Sequence, residues 1–352
     1  MAETLEYSFL GKCHSQALQA PIHALDRAFK EAFDKTQPNK RIPRFKKKGQ
    51  CTPSIRYPQG FKIDEVNSKI FLPKIGWVKY RNSRKIQGVA KNVTVSKKGK
   101  YWFVSVQTEY EVPIQGHKAN TAVGIDMGVK RFATLSNGTV YAPLNSLKRW
   151  SPQLAKLQKQ LKNKVKFSNN WKKQQVKIGS LHQRISNARQ DYIHKASTEI
   201  SKNHALLVIE DLRIKNMTTS AKGTLSHPGK NVGQKSGLNR SILDQGWGMF
   251  FSQLEYKQQW AGGWVLRVNP ARTSQGCPAC KHISALNRQT QEVFLCAGCG
   301  FTANADDVAS MNILERGMQG VDSAFAPWET MPRLVCEVSR ARMRPAAENC
   351  GA

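Results

Sequence analysis

Two short apolar runs, each ending on an acidic residue, constrain the fold of this chain more than any other feature. The first, Ala122–Ile125, ends on Asp126, and Gly128 allows a sharp backbone turn just beyond it. The second, Ala205–Ile209, ends on Glu210. Such runs predict buried strands, and a strand at a sheet centre holds an acidic side chain rigidly at the sheet edge. For Asp126 taken alone, an Asp that only bonds its own turn is the alternative.

A third acid is expected at the start of a helix near the C-terminus, where Asp306 and Asp307 are both candidates. With Asn304 counted as the N-cap, Asp306 shares its helix face with small and apolar residues that would rest on a sheet: Ala309, Ser310 and Ile313. We therefore select Asp306, and expect Asp307 to interact with the positive end of the helix dipole. Strand alternation similarly favours Glu210 over the adjacent Asp211.

The order of the predicted elements is that of a ribonuclease H-like fold. It runs through the Asp126 strand, two strands (131–136 and 139–142), a helical hairpin (145–203), the Glu210 strand, a helix (243–260), a fifth strand (264–268) and the Asp306 helix. In that fold the first and fourth strands are neighbours and the last helix crosses their ends, so three distant acids share one site. Packed carboxylates repel, and two divalent ions about 4 Å apart relieve the repulsion and activate water. Oxygen ligands and a phosphate substrate favour Mg²⁺.

The charge balance points to nucleic acid as the partner. The chain has 55 Lys and Arg against 24 Asp and Glu, and its formal charge of +31 requires a polyanion for neutralisation. This charge is spread along the chain rather than gathered on one amphipathic helix, which argues against a membrane surface. No apolar run approaches transmembrane length and no secretory leader opens the chain. We expect a reducing cytosol, where cysteines are metal ligands or free thiols.

Four of the eight cysteines form a metal-site pattern. Cys277 and Cys280 make one pair, and after fifteen residues Cys296 and Cys299 make a second. This spacing supplies four thiolates for a tetrahedral, structural zinc ion, with Gly300 letting backbone N–H groups point at sulfur. The remaining cysteines lack partners at useful spacing and are predicted to be free thiols: Cys13, Cys51, Cys336 and Cys350.

The first 120 residues predict a helix, a basic linker and a small β domain. A helix is expected through 14–33, followed by a linker with an aromatic residue among cations: Arg44, Phe45, Lys46, Lys47 and Lys48. Such a linker can stack on a base and hold phosphates, although a solvated charged loop is the alternative. Short β-rich runs from 54 to 112, with a hairpin turn at 97–100, suggest an oligonucleotide-binding-type barrel.

Four further expectations concern the second half of the chain. The outer faces of the hairpin 145–203 carry many cations, which suits a duplex nearly as well as solvent. Residues 218–236 are rich in Ser, Thr, Gly and Lys and predict a mobile loop. Arg272 is expected beside the strand end, where it either holds the scissile phosphate or is structural. The tail after Gly317 lacks periodicity and is predicted to be disordered.

The sequence thus divides as α/β plus β. The predicted parts are a helical segment with the basic linker (1–50), a β-barrel wedge (51–116), a nuclease core (117–272), a zinc ribbon (273–302), the last core helix (303–317) and the tail (318–352).

Several motifs occurring together in order resemble the TnpB (OrfB) proteins of insertion sequences. They are Gly124–Gly128, Ile209–Leu212, Thr273–Gln275 with the first cysteine pair, and 299–314 with Asp306. The resemblance covers roughly His14 to Leu314. It implies a RuvC-like nuclease with Asp126, Glu210 and Asp306 as its acids, and a zinc ribbon. It also implies a guide RNA from the transposon end, a double-stranded DNA target chosen by base pairing, and kinship with type V CRISPR effectors.

Two departures from the family pattern affect what the resemblance implies. Members usually begin with a barrel strand and further helices that contribute to guide and adjacent-motif recognition, so Met1–Leu10 is expected to be a remnant or a misassigned start. Val308 replaces an Asn common after the last acid. The alternatives to a nuclease are a guided DNA-binding protein or truncated remnant that does not cut, and a strand-transfer transposase. Three intact, mutually repelling acids favour the nuclease.

Overall fold

The computed structural model describes residues 11–45, 53–99, 101–111, 116–224, 226–324 and 335–336. It divides into two compact units, one ending at Pro113 and one beginning at Ile114. The first unit therefore contains both the predicted helical segment and the predicted wedge. Five residues with sequence-based assignments lie outside the described residues: Lys46, Lys47, Lys48, Cys51 and Cys350.

The first unit consists of one helix and two three-stranded antiparallel sheets. Its elements are α1 (Ser15–Phe33), β1 (Ser54–Tyr57), β2 (Lys62–Asp64), β3 (Lys69–Leu72), β4 (Gly76–Lys79), β5 (Val89–Lys98) and β6 (Tyr101–Glu109). The sheets have the orders β1-β5-β6 and β2-β3-β4 and share an apolar core built on Tyr57, Ile70, Leu72 and Val93. No ladder in the described part joins them, so the closed barrel stays a prediction.

The hairpin expected at 97–100 is present, with Lys98 opposite Tyr101. Among the short β-rich runs expected from 54 to 112, those at Val89 and at 93–95 are separate in the sequence, but both belong to β5. A register shift between Ala90 and Asn92 interrupts the alternation of buried and exposed residues there. This bulge is why a single strand has the sequence pattern of two.

The second unit is built on one mixed sheet. Its strands are β7 (Thr121–Met127), β8 (Ala133–Leu135), β9 (Val140–Tyr141), β10 (Leu206–Glu210), β11 (Trp264–Val268), β12 (Val293–Leu295), β13 (Thr302–Asn304) and β14 (Val335–Cys336). Its helices are α2 (Ser146–Lys162), α3 (Asn169–Asn203), α4 (Ile214–Met217), α5 (Val232–Gln245), α6 (Trp247–Ala261) and α7 (Ala305–Ala324). The sheet order is β11-β10-β7-β8-β9, with β14 also paired to β7. Strands β7 and β10 are the first and fourth strands of this unit along the chain. They are neighbours in the sheet, as predicted.

The central strands are apolar on both faces because helices cover each face of the sheet. Leu207 and Ile209 of β10 pack into the cluster that contains Ile193 of α3 and Phe250 of α6. The alternate residues, Leu206 and Val208, pack with residues of α7 in a second cluster. Strands buried on both faces show continuous hydrophobic runs, which is why these two were visible in the sequence. Within the residues described, none of the helices is long and apolar enough to cross a bilayer.

Two expectations about the second unit were wrong. The helix expected through 243–260 is two helices, because Gly246 adopts a left-handed φ of 74° between α5 and α6. The loop 218–236, predicted to be mobile, contains the first turn of α5, which begins at Val232. The part of α5 before Ile242 has no hydrophobic run and gives little amphipathic signal. The sequence therefore did not indicate where this helix begins.

The predicted tail also differs in its first residues. Helix α7 passes Gly317 and continues to Ala324, and Val335–Cys336 forms β14 on β7. A Cβ added at Gly317 would lie 2.5 Å from Cγ1 of Val208, so this glycine permits close packing of α7 on the sheet and does not end the helix. The other residues of 325–352 lie outside the described part of the chain.

Replacing Gly124 with alanine is expected to destabilise the protein by about 3 kcal/mol or more, as overpacking against backbone cannot be relieved by a rotamer change. A Cβ at this position of β7 would lie 2.2 Å from the Ser310 carbonyl oxygen and 2.6 Å from the Leu314 nitrogen, both in α7. Urea unfolding measures the loss. Gly179→Ala is the control: it lies inside α3 with nothing within 4 Å, so about 1 kcal/mol of stabilisation is expected. Equal stabilities for the two variants would contradict this packing.

Candidate active site and metal centre

The first two predicted acids lie side by side at the ends of neighbouring strands. In the parallel pairing of β7 and β10, Ile125 is opposite Ile209, so the next residue of each strand is an acid, Asp126 and Glu210. Asp126 is half-buried and Glu210 is buried. The parallel register of two locally apolar strands is therefore what aligns these two carboxylates.

The third predicted acid comes from the first turn of α7. Asn304 caps this helix, since its Oδ1 accepts a hydrogen bond of 3.0 Å from the backbone N–H of Asp306. Helix α7 packs on β7 through the contact at Gly124 described above, and its start lies at the acidic edge of the sheet. The half-buried Asp306 therefore faces the strand ends.

Burial raises the pKa values of all three carboxyl groups. The pKa of Asp126 is raised well above its ordinary value of 3.8 by burial, then by the negative charges of Glu210 and Asp306. Burial also raises the pKa of Asp306, against the charges of Arg131 and Arg288. For Glu210, burial raises the pKa and a hydrogen bond from Thr273 opposes the rise. Three arginines, Arg131, Arg288 and Arg316, partly offset the negative charges of these acids.

The three acids are spaced more widely than the four cysteines. Among the described residues, only the four cysteines have ligand atoms that all lie within 4.8 Å of one another. The three acids therefore do not form such a compact cluster.

A buried threonine orients Glu210. The Thr273 hydroxyl donates a 2.6 Å hydrogen bond to Glu210 Oε1. Asn312 of α7 in turn donates to the carbonyl oxygens of Thr273 and Gly276, each at 2.8 Å. The sequence analysis included Thr273 in a motif but assigned it no role, because nothing local indicates a partner 63 residues away.

Asp307, the acid next to the predicted Asp306, has a different environment from Asp306. Asp307 Oδ1 lies 3.1 Å from Arg131 Nη1, whereas Asp306 Oδ2 is 4.0 Å from Arg131 Nε. The Asp307 side chain is 6% exposed and the Asp306 side chain 21%. The sequence analysis expected only a helix-dipole contact for Asp307 and missed Arg131. The position of Arg131, five residues after Asp126 in the turn that leaves the strand, was the available signal.

Asp211, the acid next to Glu210 at the end of β10, has a different environment from Glu210. Asp211 is exposed and lies 3.4 Å from Arg267 Nη1, whereas the buried Glu210 accepts a hydrogen bond from Thr273. The charges that act on the acids come from Arg131, Arg288 and Arg316. Arg272, which was expected beside the strand end, is exposed with a left-handed φ of 63°. Its role as a phosphate ligand, and that of the exposed Arg44 and Phe45, stays a prediction.

The four cysteines lie close enough together to hold one metal ion, since all four sulfurs lie within 4.8 Å of one another. Cys277 and Cys299 have sulfurs 3.7 Å apart, and those of Cys280 and Cys296 are 3.5 Å apart. Zinc–sulfur bonds of about 2.3 Å place tetrahedral sulfurs about 3.8 Å apart, so the thiols fit zinc with no open position. The backbone N–H of Gly298 donates to the Cys296 sulfur at 3.4 Å, and Gly300, just after this cysteine pair, has a left-handed φ of 72°.

Of the other cysteines, Cys13 is an exposed free thiol. The side chain of Cys336 is not among those described, and the two remaining positions lie outside the described residues.

The sequence matches two family models, which are separated by residues 222–246. OrfB_IS605, described as a probable transposase, matches residues 105–221, which include Asp126 and Glu210. The Cas12f1-like TNB domain matches residues 247–313, which include all four metal-site cysteines and Asp306. Between them, the two matched segments therefore contain every predicted metal ligand.

Similar proteins extend over most of the chain. "Putative RNA-guided DNA endonuclease InsQ" of Escherichia coli (strain K12) is 54% identical over 312 residues, which are 89% of this chain and 77% of that protein. A protein of the same description from Streptomyces pristinaespiralis is 30% identical over 321 residues, 90% of this chain and 75% of that protein. A solved Cas12f1–sgRNA–target DNA complex is 17% identical, with a TM-score of 0.39, and the match covers 78% of this chain and 69% of that one.

Proposed function

Because the chain belongs to the TnpB (OrfB) family of insertion-sequence RNA-guided nucleases, we propose that it is an RNA-guided DNA endonuclease whose active site consists of Asp126, Glu210 and Asp306. One observation carries the assignment of the site. Three carboxylates from distant parts of the sequence converge at one sheet edge, and the other two raise the pKa of Asp126. Mutually repelling acids do not help a protein to fold, so their convergence calls for a bound cation.

The proposed cofactor of this site is Mg²⁺. Carboxylate oxygens and a phosphate substrate are the ligands that this ion prefers, and Asp126, Glu210 and Asp306 would hold it. When bound, a pair of such ions activates water and stabilises the departing oxygen of a phosphodiester. Thr273 positions Glu210, and the Asn304 cap positions Asp306 at the start of α7. Zinc is proposed for the four cysteines, where it would stabilise the ribbon without contacting substrate.

The proposed partners are a guide RNA from the transposon end and a double-stranded DNA target. The similar proteins are named as RNA-guided DNA endonucleases, and the charge of +31 suits contacts along the backbone of an RNA–DNA duplex. Base pairing would supply the sequence specificity, so the protein needs few contacts to base edges in the duplex. We propose the reducing cytosol as the compartment, since the metal site requires free thiolates.

A cleavage assay on the full chain tests this function. The protein is purified with its associated RNA and supplied with Mg²⁺ and DNA matched to the RNA. We expect double-strand cutting of matched DNA and none of unmatched DNA. Failure of the unmodified protein to cut would contradict the proposal. Repression at a matched site without breaks would instead indicate a guided binding protein, and joined donor and target strands would indicate a transposase.

The choice of Asp306 over Asp307 makes a separate prediction. Asp306→Asn is expected to lower the cutting rate by roughly a thousandfold, because it removes a proposed ion ligand. Asp307→Asn is expected to retain most of the cutting but to lose about 1–2 kcal/mol of stability, because Arg131 loses its partner and is itself partly exposed. Cleavage rates and urea unfolding of both variants measure this. Greater loss of cutting in Asp307→Asn would reverse the assignment.

A further inference from the structure

The end of the α2–α3 hairpin where the two helices are joined extends beyond the residues that pack the helices together. Between the two helices, the apolar seam consists of Leu154, Leu157 and Leu161 on one side and Ile178, Leu181 and Ile185 on the other. It ends at the buried Gln174, whose side-chain amide donates to the Leu157 carbonyl oxygen at 3.0 Å. We call residues 162–173 the hairpin tip. None of its side chains belongs to the hairpin cluster of buried residues and their packed neighbours.

The hairpin tip presents an aromatic residue to solvent in an unfavourable backbone conformation. Phe167 is 66% exposed and adopts a left-handed φ of 68°, which bulky L-residues rarely do. Its ring lies edge-on to Trp171, with centroids 5.5 Å apart, and Val165 beside it is 80% exposed. Exposed apolar groups and a strained backbone both cost stability, so packing within the chain does not explain them.

The hairpin is also unusually one-sided in charge. Residues 146–190 contain nine lysines and three arginines, and no aspartate or glutamate. Five of these lysines are in the hairpin tip: Lys162, Lys164, Lys166, Lys172 and Lys173. The ammonium nitrogen of Lys166 lies 5.2 Å from the centroid of the Phe167 ring. Arg189 pairs with Asp244 of α5, but the five tip lysines have no acid in their own segment, so an external polyanion suits them.

We propose that the hairpin tip binds an unpaired base of a structured RNA, with the base stacked on Phe167 and the flanking phosphates held by the surrounding lysines. Aromatic side chains commonly stack on the splayed bases of RNA loops and bulges. We favour RNA over DNA as the partner because a cationic segment without acids is stabilised by a polyanion that stays bound. The guide RNA is the lasting partner, whereas target DNA is bound transiently. This inference therefore rests on the proposed function.

The test is a binding measurement on the full chain without DNA or Mg²⁺, so it does not depend on cutting. The probes are a transcript of the RNA that co-purifies with the protein and an unstructured oligouridylate, at a salt concentration that suppresses non-specific binding. Phe167→Gly removes the ring and relieves the left-handed strain, so its melting temperature should not fall. Loss of one stacked base should nevertheless raise the dissociation constant for RNA roughly fivefold to a hundredfold.

Two variants serve as controls. Val176→Ala removes an apolar side chain that is 63% exposed on α3 but outside the hairpin tip, and should bind RNA normally. Phe167→Trp keeps a ring and should retain tight binding. Chemical probing of the bound transcript should show an unpaired nucleotide that is protected by the unmodified chain and reactive with Phe167→Gly.

The outcomes separate this inference from the proposed function. Equal RNA affinities of Phe167→Gly and the unmodified chain would overturn the hairpin-tip site while leaving guided cutting intact. An equal loss of affinity for the unstructured oligouridylate would also overturn it, because the contact would then not require a structured RNA. An unmodified chain that binds neither RNA probe would contradict both proposals.

Discussion

Replacing Asp126 with asparagine is expected to abolish DNA cutting and, at the same time, to stabilise the metal-free protein. Asparagine keeps the shape of the side chain but removes the charge that would hold an ion, and loss of a group in a cooperating catalytic set costs roughly a thousandfold or more. Without metal, the ionised Asp126 is largely removed from solvent and repelled by Glu210 and Asp306. Cleavage rates and thermal unfolding in a chelating buffer measure the two effects.

The pH dependence of the metal-free protein follows from the same carboxyl group. Because its pKa is raised in the folded state, the folded protein binds this proton more tightly than the unfolded chain does. The resulting stability is fully present below the ordinary value of 3.8 and is lost as the pH rises through the raised value. We expect Asp126→Asn to flatten this loss. Mg²⁺ should restore stability to the unmodified protein and much less to the variant.

Asp211→Asn is the matched control, since Asp211 is an acid next to Glu210 that is exposed and paired with Arg267. It should cut normally and respond normally to Mg²⁺. If Asp126→Asn gained as much stability from Mg²⁺ as the unmodified protein does, the ion would not bind where we propose.

The second large effect is expected at the cysteine cluster, where Cys277→Ser should release zinc and destabilise the ribbon. Apparent zinc affinities contribute about 10–16 kcal/mol to the folding of zinc-finger peptides, so a loss of several kcal/mol is expected here. The damage should spread, because Cys277 packs in one cluster with Phe294 and with Ala305 and Val308 of α7. That end of α7 carries Asp306, so cutting should fall together with stability. Zinc content, thermal unfolding and cleavage rate measure the three effects.

Cys13→Ser provides the comparison, because Cys13 is an exposed thiol in the other unit. It should keep one zinc ion per chain and normal stability. Full zinc content in purified Cys277→Ser protein would show that the cluster does not hold the ion.

The elements with strong local signals were predictable from the sequence. The apolar runs of β7 and β10 are strands, the hairpin stripes form α2 and α3, and the two Cys pairs lie together. Prediction failed where the local signal was weak or misleading. Gly246 breaks a helix that looked continuous, and Gly317 lies inside a helix that was expected to end there. In both cases a glycine's role depends on what packs against it, which no local pattern contains.

The sequence by itself identified the candidate site residues: apolar strand runs indicated Asp126 and Glu210, helix capping and spacing indicated Asp306, and the spacing of two pairs indicated the four cysteines. Only the tertiary structure decided how these residues are positioned and which hydrogen bonds and charges surround them. The parallel register of β7 and β10, the hydrogen bond from Thr273 to Glu210 and the pairing of Arg131 with Asp307 all join residues far apart in the chain. Local periodicity reflects the burial of one segment, whereas these contacts depend on how separate segments pack together.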